Sequence, residues 1–100
     1  MDKKIIINFF KNLGFDAIQT SETDLDYFFW PAEEMEKLNA DYGVEQYLPN
    51  YFGVGSSGGG ELFAVDLSTG IFYSIPFIPM DSTERIKVAD SIEELIKMKK

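Results

Sequence analysis

Tyr47-Leu48-Pro49-Asn50-Tyr51-Phe52-Gly53-Val54-Gly55-Ser56-Ser57-Gly58-Gly59-Gly60-Glu61-Leu62-Phe63-Ala64-Val65-Asp66 decides the fold of this 100-residue chain. Tyr47-Leu48-Pro49-Asn50 reads as a turn, because proline presets one backbone angle and asparagine tolerates a left-handed one. Tyr51 to Val54 is then a short strand. The glycine run from Gly53 to Gly60 follows, broken only by Val54, Ser56 and Ser57. Glu61 to Asp66 places Leu62 and Ala64 on one face and Phe63 and Val65 on the other. A strand apolar on both sides belongs in the middle of a sheet, covered above and below.

Working outward from that strand, Leu67-Ser68-Thr69-Gly70 is a hairpin loop and Ile71 to Phe77 pairs back. Pro76 and Pro79 cannot donate to a ladder and mark an edge or a strand end. Asp81 to Glu84 is a polar turn, and Ile86 to Ala89 a brief strand. Ser91 and Glu94 form a capping box for a last helix, with Ile92, Leu95 and Ile96 expected inward and Lys97, Lys99 and Lys100 near its negative end. Upstream, Leu25 to Trp30 is an aromatic strand. Pro31 is expected at the first position of a helix whose inner face carries Ala32, Met35 and Leu38, with Lys37 paired to Glu33. That helix ends over Asn39 to Gly43. Ile5, Ile6, Phe9, Phe10 and Leu13 recur at helical spacing, so a helix is expected from Lys3 to Leu13 with Asp2 at its head and Gly14 closing it. Three consecutive isoleucines make a strand the rival there. Phe15 to Ile18 adds a short extended piece, and Thr20 to Asp24 is a polar connector. The order predicts an α+β fold: a mostly antiparallel sheet of about five strands packed against helices, in a single domain.

Composition removes most chemistries. With no cysteine and no histidine there is no disulfide, no common zinc site, and no Ser-His or Cys-His nucleophile pair. A formal net charge of -8, from 17 acidic against nine basic side chains, repels a phosphate backbone and attracts a basic protein. The apolar run at Ile5-Ile6-Ile7 is too short for a signal peptide, and no stretch is long enough to span a bilayer. The expectation is a cytoplasmic protein with no cofactor, no nucleic-acid ligand and no membrane association.

The remaining motifs read as structure. Phosphate-cradling glycine loops end at a helix N-terminus, whereas a strand follows Gly60, and no Lys-Ser or Lys-Thr is present. The glycines instead serve a strand-to-strand crossing with close backbone approach. Glu61 and Asp66 are an odd number of residues apart on one strand, so they point to opposite faces and do not form a catalytic pair. Asp24 and Asp26 lack the spacing of a calcium loop. Of the aromatics Tyr27, Phe28, Phe29, Trp30, Tyr47, Tyr51 and Phe52, about half should be core. Tyr42, Tyr47 and Tyr51 are the expected surface members.

The segments Phe29-Trp30-Pro31-Ala32-Glu33-Glu34, Leu38-Asn39, Tyr47-Leu48-Pro49-Asn50-Tyr51 and Gly53 to Glu61, in that order, resemble the SUKH superfamily. Tyr73-Ser74-Ile75-Pro76-Phe77 and Val88-Ala89-Asp90-Ser91-Ile92-Glu93-Glu94-Leu95-Ile96 look like the close of the same domain. The similarity covers Leu25 to Ile96, and the N-terminal part before it is shorter than in relatives. The superfamily contains bacterial immunity proteins of polymorphic toxin systems and a fungal regulator of cell-wall synthesis. The resemblance implies a protein-binding domain without catalytic residues, with Trp30, Pro49, Gly58, Gly59, Gly60 and Glu61 as a structural signature. It implies a toxin, often a nuclease, as partner.

Glu33, Asp41, Tyr42, Glu45, Asp81 and Glu84 are the candidate partner-binding residues, as acidic rim and aromatic anchor for a basic toxin domain. The alternative is a regulatory or scaffold domain for a protein unrelated to any toxin. An enzymatic reading would have to use Glu61, Asp66 or a tyrosine.

Overall fold

The computed structural model describes residues 1–100. Six strands form one antiparallel sheet in chain order: β1 (Ala17–Gln19), β2 (Asp26–Phe29), β3 (Tyr51–Ser56), β4 (Glu61–Asp66), β5 (Phe72–Pro76) and β6 (Ile86–Ala89). Each strand pairs with its neighbour in sequence, so the sheet is a meander. The expected α+β class holds; the sixth strand is the short extended piece anticipated near Ile18.

β4 is covered on both faces. Phe63 and Val65 lie in a core with Ile6, Phe10, Tyr27, Val54, Phe72 and Leu95. Leu62 and Ala64 lie in a second core with Val44, Leu48, Tyr73 and Ile75. In the first core, rings do much of the filling: Phe63 stacks on Tyr27 at 4.9 Å and on Phe72 at 5.6 Å between centroids. The β3–β4 hairpin also explains the glycines. A Cβ on Gly55 would stand 2.2 Å from the Phe28 carbonyl oxygen, so β2 and β3 approach there only because no side chain intervenes. Gly58 and Gly60, at φ +80° and +134°, turn the hairpin, while the Ser57 hydroxyl donates to Glu61 at 2.8 Å.

Helix α1 (Lys3–Lys11) begins as expected, with the Asp2 carboxylate accepting from the Lys4 N–H at 2.8 Å. Ile6 and Phe10, one turn apart, are buried, whereas Ile5 is 58% exposed. The helix stops two residues early. Asn12 caps it, its side-chain amide donating to the Asn8 carbonyl, and Gly14 is not left-handed. Pro31 precedes a short 3-10 turn (Ala32–Glu34) rather than opening an α-helix; α2 (Met35–Tyr42) begins after that turn. The tighter winding takes Glu33 off the α-helical ridge, so Lys37 pairs with Asp41 at 2.7 Å and not with Glu33. Left-handed Gly43 ends α2, and a one-turn helix α3 (Val44–Tyr47) follows. Tyr47 therefore belongs to a helix, and only Leu48-Pro49-Asn50 turns the chain, with Asn50 at φ 72°.

A second 3-10 turn (Ser82–Glu84) precedes β6. Helix α4 (Ile92–Ile96) starts at Ser91, whose hydroxyl accepts from the Glu94 N–H at 3.2 Å. Leu95 is buried and Ile92 half-buried, but Ile96 is 45% exposed, against expectation. After Leu95 the chain tightens into three-residue turns, so Met98 takes the inward place. The tail then lies along β1: Gln19 N–H donates to the Met98 carbonyl, and Lys100 N–H to the Ala17 carbonyl. Lys100 pairs with Asp26 and Lys99 lies 5.9 Å from the Phe15 ring centroid, so these cations serve the sheet edge and not the helix end.

Candidate protein-binding surface

β2 is too short to pair with all of β3; its ladder reaches only Gly55 and Ser56. The uncovered half of β3 is met by α2. Asn39 accepts from the Gly53 N–H at 2.7 Å and donates to the Gly53 carbonyl at 2.8 Å and to the Met35 carbonyl at 2.7 Å. Gly53 has no side chain because a Cβ there would stand 3.1 Å from Trp30 and 3.0 Å from Leu62. Trp30, anchored by its backbone N–H to the Val54 carbonyl, packs against Gly53 where a side chain would stand. From that base an aromatic ladder runs to the surface: Tyr42 stacks on Trp30 at 5.7 Å and 11°, and on Phe77 at 4.8 Å and 29°. Phe77 is tied to the glycine hairpin by its N–H to the Gly60 carbonyl at 2.8 Å. The next residue, Ile78, is 92% exposed, the most exposed large hydrophobic of the chain.

The charge around this ladder is one-sided. The nine basic residues lie at 3, 4, 11, 37, 85, 87, 97, 99 and 100, so residues 38–84 contain none. The same span carries Asp41, Glu45, Glu61, Asp66, Asp81 and Glu84. It builds α3, β3, β4, β5 and the connection over the second core. The cations at its borders are engaged. Lys37 is held by Asp41, whose hydrogen bond and charge raise the ammonium above its ordinary value. Arg85 donates to the Tyr51 hydroxyl, lies 4.4 Å over the Tyr73 ring and sits 3.9 Å from Asp66. The hydrogen bond to Tyr51 is the main cause that raises its guanidinium further.

The six candidate partner-binding residues fall on three parts of the molecule. Asp41, Tyr42 and Glu45 lie on α2 and α3, and Asp81 and Glu84 on the β5–β6 connection, whose Met80 packs into the same second core as Val44 and Leu48. All five are exposed. Glu33 is exposed too but stands apart, lining a hollow of about 320 Å³ with Phe10, Phe15 and Phe29. Tyr47 is 58% exposed and Tyr51 half-buried beneath Arg85. Phe77 and Ile78 are not singled out by the sequence reading. Their signal is the apolar pair between Pro76 and Pro79, where the ladder ends and the side chains have no strand to face.

The signature residues occupy structural posts: Trp30 beneath the ladder, Pro49 before β3, and Gly58, Gly59 and Gly60 at the hairpin tip. Glu61 accepts from Ser57, and Asp66 from the Ser68 hydroxyl at 2.6 Å and N–H at 2.9 Å. The two carboxylates sit at opposite ends of β4, each engaged in its own turn. No three acidic side chains converge on a common point, and every buried side-chain nitrogen or oxygen has a partner. A groove of about 540 Å³ between α1, α2, α3 and β3 is lined by Lys3, Glu36, Glu45, Gln46 and Asn50, with Lys3 3.9 Å from Glu36. No helix is long and apolar enough to cross a membrane.

No curated protein matches the chain significantly. A family model does, over residues 5–98, a span that takes in α1 and β1 upstream of Leu25 as well as the ladder and the glycine hairpin. On that match the chain belongs to the SMI1 / KNR4 family (SUKH-1).

Proposed function

We propose that the chain is a non-catalytic protein-binding domain of the immunity type, which neutralises a basic toxin in the cytoplasm by direct contact. The carrying observation is the base-free span 38–84, which carries six acidic side chains together with the exposed Tyr42 ring stacked on Phe77. Enzymes that act on nucleic acid present cationic clefts to the phosphate backbone, so a nuclease is the toxin class such a surface complements best. Anionic groups steer that encounter, and exposed rings supply burial once it forms.

Co-expression in a bacterial host with the toxin encoded beside this gene tests the reading. Restored growth, together with a stable complex on gel filtration, is the expected result. Growth arrest undiminished by the chain at equal expression sinks it. Stable capture of a neighbouring protein that has no toxicity would instead favour a regulatory or scaffold domain.

A further inference from the structure

Four isoleucines are at least 45% exposed: Ile5, Ile78, Ile86 and Ile96. Three of them stand beside cations in the chain: Ile5 follows Lys3 and Lys4, Ile86 lies between Arg85 and Lys87, and Ile96 precedes Lys97. Ile78 differs in each respect. It is 92% exposed, and the charges nearest in sequence are Asp81 and Glu84. Its backbone is fixed from both sides. Phe77, immediately before it, is stacked on Tyr42 and bonded to Gly60; Met80, two residues on, packs against the second core. An aliphatic side chain projected into water from a segment anchored on both flanks adds no packing to its own fold. Little conformational entropy remains to be lost when another molecule covers it.

We infer that Ile78 is the central apolar anchor of the partner interface, entering a hydrophobic pocket on a basic protein while Asp41, Glu45, Asp81 and Glu84 form the rim. The inference rests on the protein-binding reading above and adds the contact that dominates it. A basic occupant is favoured over a second copy, because two such faces would bring like charges together across a common axis. Hot spots of this kind are buried apolar or aromatic groups encircled by polar contacts that exclude water.

The test uses the full chain and the purified toxin domain encoded by the adjacent gene, titrated by calorimetry. Ile78→Ser is compared with Ile5→Ser and Ile86→Ser, exposed isoleucines among cations elsewhere. Ile78→Ser is expected to weaken the complex roughly 30-fold or more, the scale of a hot-spot loss, with its thermal melt unchanged. The two control variants should bind like wild type. Wild-type affinity for Ile78→Ser, or a larger loss from either control, overturns the anchor and leaves the protein-binding reading standing. A wild-type chain that does not bind the toxin removes both. Sedimentation of the chain alone closes the last route: a dimer abolished by Ile78→Ser would assign the surface to self-association and overturn the basic partner.

Discussion

The side-chain amide of Asn39 stands in for a missing strand at Gly53, forming both hydrogen bonds that a neighbouring backbone would have supplied. β2 ends before it can reach that position, and the helix lends one residue to finish the ladder. The same contact fixes α2 over bare β3 and so sets where Tyr42 meets Trp30. A packing detail thereby positions the exposed ladder.

Asn39→Leu should cost about 2–3 kcal/mol, since it leaves the Gly53 N–H and carbonyl without partners in a half-buried place. Asn39→Asp keeps an acceptor for the N–H but loses the donors to Gly53 and Met35, and should fall between leucine and wild type. Urea unfolding monitored by circular dichroism measures both. Equal midpoints for all three would show that the contact does not hold the helix.

Gly55→Ala sets a Cβ 2.2 Å from the Phe28 carbonyl and is expected to cost at least about 3 kcal/mol or to prevent folding. Gly59→Ala, whose nearest neighbour would be the Ser57 hydroxyl at 3.7 Å, should stay within about 0.5 kcal/mol of wild type. Thermal melts of the pair separate close approach from mere glycine content.

Tyr42→Ala removes the middle ring of the ladder and should cost about 1–2 kcal/mol. It should also shift Trp30 emission to longer wavelength, because the indole then faces water; as the only tryptophan, it reports without interference. Tyr42→Phe retains both stacks and should leave the spectrum in place.

The Lys37 ammonium is raised by Asp41, first through their hydrogen bond and then through charge. A raised cation stabilises the fold fully below the ordinary lysine value of 10.5 and loses that contribution as pH climbs through the folded value. The pair is exposed, so its effect on stability is small. The clearer readout is NMR titration of the Lys37 side chain: Asp41→Asn should move its midpoint downward, toward the ordinary value.

Complex formation with a basic partner should slow as salt rises, because charges beyond a Debye length of about 10 Å at 0.1 M are screened. Asp81→Lys with Glu84→Lys should lower the association rate several-fold while changing dissociation little. Stopped-flow kinetics at two ionic strengths reads both effects.

The backbone plan was legible where local rules act alone. Glu61 to Asp66 is apolar at consecutive positions and sits at the centre of the sheet; Asp2 and Ser91 cap as their side chains dictate. What escaped depends on residues far apart in the chain. Asn39 finds Gly53 across 14 positions, and Met98 displaces Ile96 only because the tail must reach β1. Lys37 chose Asp41 because a 3-10 turn, invisible in the spacing of charges, moved Glu33 aside. Of the binding surface, Tyr42 and the acids could be named from exposure and charge, but the stack on Phe77 requires β5 and α2 to be brought together. The absence of any base between Leu38 and Glu84 was visible throughout and needed only counting.

The meander gives the molecule an uneven assembly schedule. Five ladders join strands adjacent in sequence, which is the arrangement that favours rapid pairing. The junction of Gln19 with Met98 and of Ala17 with Lys100 is the exception, spanning nearly the whole chain. On a ribosome, β1 therefore waits with one flank bare until Met98 and Lys100 have been made. That interval is when an unguarded strand is most prone to join a stranger.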